Sequence, residues 1–525
     1  MRGLLVLVLH AHLPFVRHPE LESAAEEAWL FEALSECYLP LLGMLARLTA
    51  EGLPVRLALS LSPTLISMLE DELLQARYLR HLDALGRLSG REVRRTKGDG
   101  AYHSVARFYQ RLWRERRDQF EGCGRSLLPT VRSLRDAGTI EPLCGTATHA
   151  YLPLLRLEPE AVRAQVTAGA AYCAKMLGEP AKGIWLAECG YYPGLDGVLK
   201  EAGLGYFFLE SHGLALARPT PNFAPYEPVR CPSGLAAFAR DQESCRMVWS
   251  AAEGYPGHPD YREFHRDIGF ELPLEHLGDS LPGGERGFTG LKYWRVTDRA
   301  SEAKEPYEPA RAAARAREHA ADFVFRLRGH VRYLEERMGC APVVVAPYDA
   351  ELFGHWWFEG PLFLEALIRE LAAQDDIEMV TPSGCLERLP ELAAAQPAAS
   401  SWGADGYNAV WLSPENDWVW PQLHRAAEAM RDLAAGLSGQ PGPLVRRALD
   451  QALRSLMLAQ ASDWPFLMRA GTSAQYACAR LQGHLGSFFY LEQAIRGGHI
   501  DADKLAAIEE LERVMPGAID YRTFR

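Results

Sequence analysis

The ten cysteines show no Cys-x-x-Cys or zinc-ribbon spacing; they are scattered from Cys37 to Cys478 as small apolar residues would be. That excludes a ribbon-type zinc site and a thioredoxin-like redox motif, and a reducing cytoplasm is the compartment expected. Long hydrophobic runs are also missing. The N-terminal apolar run, Leu4 to Leu9, is too short for a signal-peptide core. It is followed at once by His10 and His12 and lacks a small-residue cleavage pattern. It reads as a buried first strand, and no membrane partner is expected. Positive charge is in deficit, with 56 Lys and Arg against 68 Asp and Glu for a net charge of -12. Such a chain repels phosphates, so a nucleic-acid partner is not expected, whereas a neutral polyol substrate needs no electrostatic steering. The local basic run Arg91 to Lys97 reads as solvated surface.

What is present is an ordinary globular composition, 48% hydrophobic and 10% aromatic over 525 residues, enough for two or three domains. Short apolar strands are predicted near Leu4 to Leu9, Val55 to Ser60, Ile140 to Cys144, Gly183 to Leu186, Tyr206 to Leu209, Val343 to Ala346 and Glu378 to Val380. Helical spacing of apolar residues covers Ser35 to Thr49, Ser104 to Ala137, Pro159 to Met176 and Pro309 to Met338. Strands alternating with long amphipathic helices describe an α/β chain with a parallel sheet, and the strand count suggests a barrel. Pro219, Pro221, Pro225, Pro228, Pro232, Pro256 and Pro259 break the rhythm, so 211–290 reads as an irregular insertion between barrel segments 1–210 and 291–400. From 401 to 525 the strand signal is gone. Leu423 to Leu437, Leu444 to Ser462, Thr472 to Ile495 and Ala502 to Val514 read as a helical C-terminal domain.

Two strand ends carry chemistry. Val343 to Ala346 runs into Pro347-Tyr348-Asp349 and then Glu351, His355, Trp356 and Trp357; Gly183-Ile184-Trp185-Leu186 runs into Ala187-Glu188 and then Tyr191 and Tyr192. A carboxylate at the end of a buried strand sits where side chains emerge from a barrel into a cleft. Asp349 alone could cap a helix, with the tryptophans as core. A second strand-end acid of the same design points instead to glycoside cleavage, in which a retaining enzyme holds two carboxyls roughly 5 Å apart.

His10-Ala11-His12-Leu13-Pro14 follows the first strand, and Thr148-His149 follows another, so His10, His12 and His149 project towards the same end. They could bind a metal, as in barrel metallohydrolases, or hydrogen-bond sugar hydroxyls and tune the carboxylates. Seven tryptophans, Trp356, Trp357, Trp402, Trp411, Trp418, Trp420 and Trp464, fall in the last third. Most must be core, and Trp402 at the domain junction is the first choice for a sugar platform. Asp463-Trp464-Pro465-Phe466 could bring an acid from the helical domain to the cleft or merely cap a helix.

Taken together, His-Ala-His-Leu-Pro at 10–14, Gly-Thr-Ala-Thr-His at 145–149, Trp-Leu-Ala-Glu at 185–188, Tyr-Asp-Ala-Glu-Leu-Phe-Gly-His-Trp at 348–356 and the region around Trp402 resemble glycoside hydrolase family 57, and the segment Ala461 to Phe466 is similar to the branching members' helical C-terminal domain. Within that family the likeness is to the 1,4-alpha-glucan branching enzymes, and it spans the chain. The resemblance implies an incomplete (β/α)7 TIM-like barrel with a small inserted domain and a helical C-terminal domain. It also implies a retaining mechanism without metal or organic cofactor, acting on amylose, amylopectin or glycogen. It gives Glu188 as nucleophile and Asp349 as general acid and base. His10 and His149 would line the cleaved bond, with His12 beside them, while Arg262, Gly290, Trp402, Asp463 and Thr472 would hold the glucan.

Trp356 stays open between core and subsite. Two departures stand out: Ala187 replaces the proline of many members, and Asn222 to Ser233 is a short covering loop, with Tyr226 the candidate cover residue. Side hydrolysis is therefore expected. The alternatives are an alpha-amylase or 4-alpha-glucanotransferase of the same family, a metal-dependent amidohydrolase using His10 and His12, and a non-catalytic glucan-binding module.

Overall fold

A computed structural model of the chain describes residues 3–250, 253–281, 284–298, 301–389, 391–436 and 440–525. Strand β1, Gly3–Ala11, is buried along its whole length and is the hub of the sheet. It pairs in parallel with β2 (Leu57–Leu61) on one side and with β8 (Val343–Asp349) on the other. From β2 the ring continues through β3 (Ile140–Leu143), across a parallel bridge between Cys144 and Ile184 to β4 (Gly183–Ile184), and on to β5 (Tyr206–Leu209). A two-residue antiparallel strand, β6 (Val229–Arg230), precedes β7 (Ala236–Ala239), which pairs in parallel with β5. The Asp241 amide, just beyond β7, donates to the Val345 carbonyl at 2.8 Å and closes the ring onto β8. Seven parallel strands (β1, β2, β3, β4, β5, β7 and β8) therefore form an incomplete barrel. Strand β9 (Ile377–Met379) pairs with the first residues of β1, outside that ring.

The strand sequences follow from this burial: with helices outside and side chains filling the interior, both faces want branched and long apolar residues, as in Leu4-Leu5-Val6-Leu7-Val8-Leu9. Strand β7 breaks that rule with Ala236-Ala237-Phe238-Ala239, so it carries no strand signal within the proline-rich span 211–290 that reads from sequence as an irregular insertion. The span contributes a ring strand as well as the short helices Gln242–Trp249, Ile268–Glu271 and Leu274–Leu277. Among the described residues one helical run, Glu27–Ala50, is long and apolar enough to cross a membrane. Its most apolar window is 72% buried in the protein, as a core helix requires.

That run contains a π-helical turn, Leu34–Tyr38, seated against the turn that follows β8. Gly354 makes the contact possible. Its φ is 141°, and a Cβ there would lie 2.0 Å from the Glu36 carbonyl oxygen. Gly169 does the same for the helix Pro159–Leu177, where a Cβ would meet the Gly145 carbonyl at 2.2 Å, so the loop leading to His149 is held tight to that helix.

The C-terminal helices Val419–Ala435, Pro443–Ala459, Asp463–Ala470, Ala474–Arg496 and Ala502–Leu511 form the expected helical domain; Leu437, the predicted end of the first, lies outside the described residues. The domain is docked on the open end of the barrel. Ala150 and Ala461 form an antiparallel bridge, the Ser462 amide donates to the His149 carbonyl at 3.0 Å, and the Thr148 hydroxyl donates to the Met457 carbonyl. Substituting Gly354→Ala forces the Glu36 turn away from β8 and is expected to cost about 2–3 kcal/mol of stability. Gly86→Ala, on an exposed helix face with open space around it, is expected to add about 0.5–1 kcal/mol. Thermal unfolding of the two variants beside the parent checks both signs.

Candidate active site

Register places the chemistry. His10 stands opposite Ser60 of β2 and opposite Asp349 of β8, so the imidazole and the acid leave the sheet at one level. Glu188 arrives from β4 in a 3-10 turn, Ala187–Cys189, with left-handed backbone at φ 62° and ψ 22°. His149 is also left-handed, at φ 56°. Such conformations cost a non-glycine residue about 1–3 kcal/mol and persist where surrounding structure over-determines them.

The surroundings of Glu188 do so. Trp402 donates its indole Nε1 to Glu188 Oε2 at 2.7 Å and its backbone amide to the Glu188 carbonyl at 3.0 Å. The Ser462 hydroxyl, from the helical domain, donates to Oε1 at 3.1 Å, and His149 Nδ1 lies 3.9 Å from the same oxygen. Burial pushes the Glu188 carboxyl above its ordinary range, and the Trp402 and Ser462 donors pull it part of the way back. Asp349 has no such help: among the described residues nothing hydrogen-bonds its carboxyl. Burial first, then the charges of Glu351 and Glu188, hold it well above the usual carboxylate range against the opposing pull of Arg240.

The three histidines form a connected group. His10 Nδ1 pairs with Ser60 Oγ at 3.2 Å, and its Nε2 lies 3.0 Å from His149 Nε2, so one of those rings carries the proton and the other accepts it. His149 Nδ1 pairs with Ser462 Oγ at 2.9 Å. His12 Nδ1 pairs with Ser62 Oγ at 2.8 Å, and its Nε2 with Asp463 Oδ1 at 3.0 Å. Burial, together with mutual repulsion from His12, keeps His10 and His149 neutral. Ligand atoms of His12, His149 and Asp463 lie within 4.8 Å of one another, a spacing open to a metal ion. The donor set does not suit one. The His12 and His149 rings lie face to face, 3.7 Å apart and 14° from parallel, so their in-plane lone pairs run side by side rather than converging. Each of their nitrogens already has a protein partner.

Other sequence-predicted residues scatter. Trp402 and Asp463 join the site directly. Arg262 is buried, gives both Nη atoms to Glu36 at 2.7 Å and lies 3.9 Å from the Phe358 ring centre. Gly290 is nearby, its amide donating to Asp267 at 2.9 Å and its positive φ of 76° placing Trp113 where a side chain would go. These two belong to a second polar cluster with Glu32, Lys292 and His355, and neither has a described contact with Glu188 or Asp349. Trp356 is 58% exposed and stacks on Phe264 at 4.8 Å, whereas Trp357 is core. Thr472 is exposed in the turn before the helix Ala474–Arg496.

Tyr226 does not cover the cleft. Its carbonyl accepts from the Val343 amide at the opposite end of β8 from Asp349, and its ring packs on His330. At about 3.3 Å per residue the length of that strand separates it from the acid. The family resemblance implied a covering loop at 222–233, but strand pairing pulls the segment down the barrel wall.

Four contributors went unselected in the sequence. Ser462 stands beside Asp463, Glu351 two residues past Asp349, Arg240 beyond β7 pairing with Glu210 at 2.7 Å, and Tyr38 on the π turn. Only Glu351 had a signal, since it lies inside the motif at 348–356.

Residues 6–394 match Glycosyl hydrolase family 57, and 422–524 match the C-terminal domain of 1,4-alpha-glucan branching enzymes. The chain belongs to glycosyl hydrolase family 57. It is 33% identical to a 1,4-alpha-glucan branching enzyme of Thermococcus kodakarensis, over 98% of this chain and 77% of that protein. Its structure is similar to that of the alpha-amylase AmyC of Thermotoga maritima, with a TM-score of 0.94 and 42% identity, covering 100% of this chain and 99% of that one. It is also similar to the family 57 branching enzyme of Pyrococcus horikoshii, with a TM-score of 0.89 and 33% identity, covering 100% and 97%.

The raised proton affinity of Asp349 has a consequence for stability. A carboxyl whose folded-state pKa lies above its unfolded value contributes stability at low pH and loses it as pH rises through the folded value. Asp349→Asn cannot ionise and escapes that loss. Its apparent unfolding midpoint is expected to match the parent at about pH 4 and to exceed it by a widening margin towards about pH 9. A fluorimetric melting series across pH checks this, and a constant gap would contradict it.

Proposed function

We propose that this family 57 protein is a 1,4-alpha-glucan branching enzyme working by retaining double displacement, with hydrolysis as a side reaction. Asp349, protonated, gives its proton to the glycosidic oxygen as the bond from C1 to that oxygen breaks. A Glu188 oxygen forms the new bond to C1, leaving the glucan fragment as a glycosyl ester. The 6-hydroxyl of an acceptor glucan then attacks C1, the ester bond breaks and regenerates the Glu188 carboxylate, and the acceptor proton returns to Asp349. Retained configuration and an alpha-1,6 branch result. His10 and His149, kept neutral by burial, are suited to hydrogen-bonding sugar hydroxyls, and Trp402 fixes the attacking carboxylate.

The observation that carries this reading is the Ser462 hydroxyl on Glu188. The nucleophile is gripped from the helical domain, the part of the chain that matches the branching enzymes' C-terminal domain. Amylose, amylopectin and glycogen are the glucans proposed, with glycogen synthesis as the setting and neither nucleic acid nor membrane as partner. The ten cysteines are all free thiols, which supports a cytoplasmic location.

A second reading, alpha-amylase, is favoured by the 42% identity to the Thermotoga maritima protein. The two carboxylates serve both reactions alike, and the acceptor decides. Incubation with amylose is expected to build alpha-1,6 linkages, read by proton NMR, alongside a smaller yield of new reducing ends. Reducing ends without alpha-1,6 linkages would give the amylase reading.

In the same assay Glu188→Gln is expected to lose at least about 10³-fold of the cleavage rate. Trp402→Phe, which removes one hydrogen bond to a charged group, is expected to lose about 10–100-fold. It should also move the acidic limb of the pH profile upward, because Glu188 then holds its proton more tightly.

A further inference from the structure

The site holds a third acid that the displacement cycle does not use. Glu351 lies two residues past Asp349 in the 3-10 turn Ala350–Leu352, and its side chain is buried. One oxygen, Oε1, accepts from the Tyr38 hydroxyl at 2.5 Å and from the His12 backbone amide at 3.2 Å. The turn itself is clasped: the Cys37 thiol donates to the Ala350 carbonyl at 2.9 Å, and the Glu36 carbonyl presses on Gly354. The groups facing Glu351 are His12 just past β1, Tyr38 and Cys37 from the π turn, and Asp349 from β8, with Asp463 on the far side of His12. Among the described residues no lysine or arginine pairs with it. Holding a carboxylate out of water without a cation is costly, and here the arrangement places its field on Asp349.

We propose that Glu351 is a positioning residue for the acid and base, clamped by Tyr38 and His12 so that its charge keeps Asp349 in the proton-donating form until Glu188 is glycosylated. Esterification removes the charge of Glu188. Asp349, having delivered its proton, then faces one negative neighbour instead of two and accepts the acceptor's proton without holding it too tightly. Burial pushes Glu351 itself up to about 7, so its charge develops as pH rises through that value. The proposal rests on the reading of Glu188 and Asp349 as nucleophile and acid.

Glu351→Gln tests it, because the amide oxygen can still accept from Tyr38 and His12 while the charge is gone. The readout is the pH dependence of kcat/KM for amylose cleavage by the full chain. The basic limb, which reports loss of the Asp349 proton, is expected to move down by about one pH unit with KM unchanged. Glu351→Asp, which restores the charge, is expected to return the limb towards the parent position. An aryl alpha-glucoside whose leaving group needs no proton is expected to be cleaved by Glu351→Gln at the parent rate across that limb.

A limb position does not depend on how much enzyme is folded, so partial misfolding leaves the measurement intact. A limb that coincides with the parent, or an equal loss on the aryl glucoside, would overturn the proposal. Because cleavage is read whatever the acceptor, absence of alpha-1,6 linkages in the parent would defeat the branching reading without touching this result. A basic limb that persists in any residual activity of Asp349→Asn would show instead that Asp349 is not the acid.

Discussion

The architecture turns on one desolvated carboxylate. Glu188 is taken out of water on a left-handed turn and held by an indole 214 residues away and a hydroxyl 274 residues away. Neither donor comes from the strand that delivers the acid, so the turn cannot keep its conformation, nor the carboxylate its orientation, until the ring has closed and the helical domain has docked. A charged acceptor makes each of these hydrogen bonds stronger than a neutral pair would be. The strain at Glu188 and His149 is thus balanced by long-range contacts, and the helical domain is part of the site's construction.

Three neighbouring carboxyls are separated by their surroundings rather than by their chemistry. Glu188 has donors that favour its charge, Asp349 has none and faces two like charges, and Glu351 lies between these cases with donors but no cation. Environments that push neighbouring acids apart are how one fold assigns a nucleophile and a proton donor at the same pH. The histidines complete the division. His10 and His149, buried and held neutral, contribute hydrogen bonds without positive charge, and so leave the high proton affinity of Asp349 undisturbed.

Much of this was legible in the chain because the signals were local. Six of the seven ring strands announce themselves as apolar runs, and the two acids follow their strands by no more than a few residues. Strand β7 escaped because alanines next to the barrel interior carry no β-branched signature and its neighbourhood is rich in proline. The converse error is Glu378 to Val380, a convincing strand that pairs with β1 outside the ring, because composition reports burial and not closure. Ser462 and Arg240 were invisible for a different reason: a hydroxyl in a loop and an arginine after a weak strand acquire meaning only from what the fold brings opposite them. Tyr226 shows the limit of placing a loop by its resemblance to a family's covering segment.

The π turn explains why the second polar cluster and the acid pair are not independent. Successive side chains of Leu34–Tyr38 point in different directions, as along any helix. Glu36 meets Arg262 of the inserted span, Cys37 meets the Ala350 carbonyl, and Tyr38 meets Glu351. Gly354, which carries no side chain against Glu36, keeps the turn pressed to the end of β8. The inserted span and the strand that carries Asp349 are therefore coupled through three consecutive residues. Contacts thus run from Arg262 to Glu36, and from its neighbours Cys37 and Tyr38 to the turn that holds Glu351.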